Sequence, residues 1–157
     1  MLSLFLVNTL IVVIAVLIQF EVLYFTKKYI SKLISKNVRV ICFMFVFLFI
    51  HVTIIWFFAI CYELYIIYNH SSHLLGNLQH NFFDLVYLSL TAYTSLGFGD
   101  IYPKGDIRFL VVIEPLLGAL LIAWNASFLF QETLRKEVLV HKVNTNKIRK
   151  SRKWIGK

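Results

Sequence analysis

The sequence predicts an all-α membrane protein: three transmembrane helices, plus one shorter re-entrant helix that runs into a glycine-containing loop. Three observations predict it. The 157 residues are 59% hydrophobic and only 15% charged, too apolar for the surface of a soluble domain. Three apolar stretches reach the roughly 20 residues that a bilayer crossing needs. A fourth, Phe82 to Tyr93, holds 12 residues, too few to cross, and fits a segment that enters the membrane and turns back. One membrane domain accounts for nearly the whole chain.

The first span is expected from Leu2 to Phe25. It lacks a basic leading region and an A-x-A-like cleavage site, so it reads as a retained helix rather than a signal peptide. Its polar residues Asn8, Gln19 and Glu21 are expected to face protein or the interface. Thr26 to Arg39 is a basic linker with Lys27, Lys28, Lys32, Lys36 and Arg39. Tyr29, Ile30, Leu33 and Ile34 recur within it at helical spacing, a pattern that predicts a short amphipathic helix on the membrane surface.

The second span is expected from Val38 to Tyr68, about 46 Å at 1.5 Å per residue. It exceeds a hydrocarbon core of about 30 Å and must tilt or project. Tyr62, Tyr65 and Tyr68 at its far end read as an aromatic belt. A polar segment, 69–81, carries His70, His73 and His80. These are either solvated loop residues or groups that tune the outer surface, and they lack metal-ligand spacing. The re-entrant helix 82–93 and the loop 94–100 follow, then a third span at 107–131. The boundaries fall at 1–37, 38–131 and a basic tail, 132–157.

Charge fixes the topology. The linker holds five Lys or Arg and the tail nine, whereas segment 69–106 holds only Lys104. The positive-inside rule puts the linker and C-terminus in the cytoplasm, and the N-terminus and re-entrant segment outside, of a plasma-membrane protein. Three crossings satisfy this without conflict. The net charge of +8 lies beside apolar spans, so anionic lipid headgroups are its expected partner and nucleic acid is not. In the tail, Leu134, Val138 and Val143 fall on one side. The tail either continues the third helix or is disordered, and Trp154 is placed to touch lipid. Cys42 and Cys61 lie 19 residues apart on one helix, about 28 Å, and cannot bridge within a chain.

The chemistry lies in Thr94-Ser95-Leu96-Gly97-Phe98-Gly99-Asp100. A narrow path for a bare cation needs backbone carbonyls to replace its water. Such a backbone needs residues free of steric limits, which Gly97 and Gly99 supply. Asp100 adds a cation-attracting charge at the outer end, and Ser95 a hydroxyl oxygen at the inner end. The segment resembles the filter signature of the pore-loop potassium-channel family, Thr-Val/Ile-Gly-Tyr/Phe-Gly-Asp. The order outer helix, short pore helix, filter and inner helix also resembles that family over about 38–131, and the first span resembles the extra N-terminal helix of some small bacterial members.

The resemblance implies a homotetrameric potassium channel. K+ would bind at carbonyls of Ser95, Leu96, Gly97 and Phe98 with the Ser95 hydroxyl, Gly99 would complete the filter, and Thr94 and Asp100 would support it. It implies no cofactor beyond K+ as the permeant ion. Ser95 departs from the usual Thr, and Leu96 from the usual β-branched residue; both loosen the filter. A weakly selective cation channel, a subunit of an energised uptake system and a non-conducting regulatory subunit are the alternatives.

Three further residues share a face of the inner helix, since Glu114, Gly118 and Asn125 are spaced by near-whole turns. Glu114 is expected to support the filter, to sense protons, or to sit at the outer interface. Gly118 is either a gating hinge or a close helix contact. Asn125 either lines the cavity or bonds another helix. His51 reads as a helix contact rather than a sensor. No span carries Arg at every third position, as a voltage sensor would. No catalytic triad, nucleotide loop or metal-helix motif occurs, so the sequence reads as a non-enzyme.

Overall fold

The computed structural model describes residues 2–33, 36–69 and 72–155. Its elements are α1 (Leu2–Leu33), α2 (Lys36–Tyr68), β1 (His73–Gly76), α3 (Phe82–Tyr93), β2 (Ile101–Lys104) and α4 (Ile107–Ile155). Three helices are long and apolar enough to cross a membrane: Leu6–Tyr29, Val38–Tyr68 and Ile107–Gln131. The all-α membrane class predicted from hydropathy is therefore the one observed. Apolar residues ring these helices on every side, as expected where lipid takes the place of water. Leu10, Leu17, Phe45, Phe49 and Leu120 point away from the chain.

The basic stretch after Phe25 is not a separate helix. It continues α1 through Leu33, because no Gly or Pro interrupts residues 26–33. The tail likewise continues α4 to Ile155; the side chains of Leu134, Val138, Val143 and Trp154 lie outside the described ones, and His70 outside the described residues.

The core lies where α2 crosses α3 and α4. Phe43, Phe47, Ile50, Ile54 and Phe58 of α2 meet Leu88 and Tyr93 of α3 and Leu110, Val111 and Leu117 of α4. Helix α1 packs on α2 and α4 through Ala15 and Leu23. Phe128 of α4 sits edge-on to Phe43 and Phe47, 5.2 and 5.8 Å between centroids, separations favoured by aromatic pairs.

A capping box starts α3. Asn81 Oδ1 accepts from the Asp84 amide at 3.2 Å, and Asp84 Oδ2 accepts from the Asn81 amide at 3.4 Å. This pairing satisfies orphan donors at the helix start. On the same side of the chain β1 and β2 form an antiparallel ribbon that runs from the pair His73 with Lys104 to the pair Gly76 with Ile101. Hydropathy does not foretell this ribbon, since neither His73–Gly76 nor Ile101–Lys104 alternates apolar with polar residues. Clasps close its base: Asn69 Nδ2 donates to Asp106 at 3.2 Å and the Ile107 amide donates to Ser72 Oγ at 3.2 Å.

Candidate functional site

The loop after α3 is shaped by where its amides turn. Thr94 caps the helix, its amide and its hydroxyl both donating to the Leu90 carbonyl at 3.1 and 2.7 Å. Ser95 then takes φ 57, a left-handed value that costs a non-glycine residue about 1–3 kcal/mol. That turn swings the following amides back onto α3. The Ser95 amide donates to Ala92 at 2.9 Å, and the Leu96 and Gly97 amides donate to the Thr91 carbonyl at 3.0 and 3.3 Å. Among the described residues, the carbonyls of Ser95, Leu96, Gly97 and Phe98 accept no backbone hydrogen bond outside the regular elements. Gly97 sits at φ 93, beyond the ordinary reach of an L-residue.

Two elements brace the outer end. The Tyr87 hydroxyl of α3 stands against Gly99, where a Cβ would collide with it. From the ribbon, the Asn77 amide donates to the Asp100 carbonyl at 3.0 Å and Asn77 Nδ2 to its carboxylate at 3.4 Å. Gly76, at φ 122, passes so close to Asp100 that a Cβ would overlap the Asp100 carbonyl. Leu96 and Phe98 remain 81% and 49% exposed, so this chain alone does not cover the loop's side chains.

Behind the loop, Glu114 is fully buried. Its carboxyl receives the hydroxyl of Tyr62 from α2 and that of Ser89 from α3, the latter at 2.6 Å. Ser89 Oγ also lies 2.9 Å from the Ile55 carbonyl. One carboxyl thus joins three helices directly behind the loop. Tyr62 belongs to this cluster and not to an aromatic belt. Tyr65 is also buried, and only Tyr68 is freely exposed at that end of α2. Of the two hydroxyls, Glu114→Leu leaves that of Tyr62 without its acceptor, at about 1–3 kcal/mol, and leaves that of Ser89 only the Ile55 carbonyl. Glu114→Leu is expected to lower the melting temperature in detergent more than Glu114→Gln, which keeps a carbonyl oxygen for one of them.

Two turns of α4, from Gly118 to Asn125, carry the remaining candidates. Gly118 lies against the end of α3, where a Cβ would strike the Tyr93 carbonyl; that is the close-contact role. Asn125 does not open onto a cavity. Its side chain is buried, accepts from Gln19 Nε2 of α1 at 2.6 Å and lies 3.0 Å from His51 Nε2 of α2. His51 Nδ1 in turn is 2.7 Å from the Tyr93 hydroxyl. Glu114, Gly118 and Asn125 do share a face, but it turns toward α1, α2 and α3. The uncovered face carries Val112, Leu116, Leu120 and Trp124.

Sequence reasoning missed Tyr62, Ser89, Tyr87 and Gln19 as members of the site. The signal was weak but present: a polar atom in an apolar helix must find a partner. The buried Glu114 predicts two donors without saying which. Among the described residues no group of three or more His, Cys, Asp or Glu is placed to hold a metal ion.

A family model described as "Ion channel" matches residues 40–135, which takes in most of α2, the ribbon, α3, the loop and all of the apolar part of α4, and leaves α1 outside. No curated protein and no solved structure matches the chain.

Proposed function

The chain belongs to the pore-loop potassium-channel family, and from that premise we propose that it is the subunit of a homotetrameric, potassium-selective pore. The observation that carries the reading is the run of unengaged carbonyls from Ser95 to Phe98, made by amides that fold back on Thr91 and Ala92. Four such loops around one axis supply rings of oxygens that replace the hydration shell of K+. The C-terminal end of α3, where the helix dipole is negative, favours a cation beside it. Leu96 and Phe98, bare in the single chain, pack against the neighbouring subunits. The uncovered face of α4, from Val112 to Trp124, turns to the axis and to those neighbours.

In this reading K+ sheds its water at the filter and moves down its gradient from site to site. Asp100 draws cations to the outer mouth. Glu114 holds the pore helix against the inner and outer helices, so that the filter keeps its width. The N-terminus is outside the cell and the basic tail is in the cytoplasm, next to anionic lipid.

The test is ion flux from liposomes carrying the purified protein, with K+ and Na+ compared. Potassium flux should exceed sodium flux manyfold. Equal flux would replace the reading with a weakly selective cation channel, with Ser95 and Leu96 as the cause. No flux of either ion would replace it with a non-conducting subunit.

A further inference from the structure

We propose that α1 acts on the ion path through a chain of positioning residues, Gln19, Asn125 and His51, that ends on Tyr93 at the base of the filter loop. The inference rests on the channel reading above but concerns a helix outside the matched family region.

Four side chains from four helices meet end to end. Gln19 of α1 donates through Nε2 to Asn125 Oδ1 of α4 at 2.6 Å. That engagement leaves the Asn125 amide nitrogen facing His51 Nε2 of α2 at 3.0 Å. An amide nitrogen only donates, so His51 Nε2 must accept, and the neutral ring then carries its proton on Nδ1. Nδ1 lies 2.7 Å from the Tyr93 hydroxyl of α3 and donates to it. The direction of every bond in the series follows from the first one, which α1 provides. Gln19 and Asn125 are both buried, where competing water is scarce and each link counts for more.

The far end of the series is mechanically important. Tyr93 is the last residue of α3, two residues before the turn at Ser95, and its carbonyl lies against Gly118. The near end bears on α4 below Gly118. Lys27 of α1 adds a second hold there, its ammonium 5.8 Å from the centroid of Phe128, within cation–π range. Displacing the lower half of α4 relative to α1 therefore breaks a bond that sets the His51 tautomer, and the disturbance arrives at the filter.

The experiment combines flux with a signature that does not depend on conduction. Gln19→Leu and Asn125→Leu are each expected to change K+ flux by about 3-fold to about 18-fold, the range that interhelical hydrogen bonds in membranes support. The double variant should change it no further than the larger single, because both cut one series. In nitrogen-15 NMR of the full-length protein, the His51 ring, identified by its loss in His51→Gln, should be protonated at Nδ1 and shift toward the Nε2-protonated form in Gln19→Leu. Effects that multiply in the double variant, or a His51 signal that ignores Gln19→Leu, overturn the proposal. If the native protein carries no ion, the channel reading fails, and the His51 signal alone decides whether the series exists.

Discussion

Gly97→Ala is expected to abolish potassium flux while leaving a folded, assembled protein. At φ 93 a side chain is strained wherever it points, yet nothing lies within 4 Å of the place its Cβ would take. The cost is therefore conformational rather than steric, about 1–3 kcal/mol. Three helices and their core do not depend on it, and a domain with about 5–15 kcal/mol of stability survives it. The loop does not. Its hold at this point is one long bond, the Gly97 amide to Thr91 at 3.3 Å, which yields before the backbone accepts the strain. The Gly97 carbonyl then leaves the row of oxygens. Circular dichroism and gel filtration should match the native protein, and liposome flux should fall to background. Native-like flux in Gly97→Ala would show that ions do not pass along this backbone.

Gly118→Ala is expected to fail differently, through packing. Here the obstacle is the Tyr93 carbonyl, a backbone atom, and Tyr93 is fixed in turn by its hydroxyl contact with His51. Neither neighbour can rotate away, so α3 and α4 must separate. Overpacking of this kind costs about 1–3 kcal/mol, and the opening falls within one turn of the carboxyl that joins Ser89 and Tyr62 to α4. The melting temperature should drop and flux should fall with it. A hinge role makes the opposite prediction: native stability, with only the opening of the path altered. Thermal unfolding in detergent separates the two.

Much of this molecule was legible before any coordinates, and the reason is the bilayer. A crossing helix must be long and apolar, so α2, the apolar part of α4 and the short α3 stand out by length alone. The Gly-Phe-Gly run marked the loop because few backbones need two glycines there. What stayed hidden depends on partners far apart in sequence. Gln19 meets Asn125 across 106 positions and His51 meets Tyr93 across 42, and no period or propensity encodes such a pairing. The spacing of Glu114, Gly118 and Asn125 correctly placed them on one face. It did not say which way the face turned, since a helix apolar all round has no moment to orient it. Gly76 carries no signal of its own in the sequence; its place beside the Asp100 carbonyl, at φ 122, appears only in the structure.

The carboxyl at Glu114 also bears on how the chain is made. A charged residue on a nascent helix costs about 2.5–3.5 kcal/mol at the bilayer centre even by lenient insertion scales, and Glu114, the eighth residue of the span Ile107–Gln131, incurs part of that cost. Its two hydroxyl partners, Tyr62 and Ser89, both precede it in the order of synthesis. When the ribosome delivers α4 to the insertion machinery, the donors that accommodate its carboxyl have already been translated. A circularly permuted chain that began at α4 would meet the membrane with Glu114 unaccompanied, and its biogenesis would stall where the natural order proceeds.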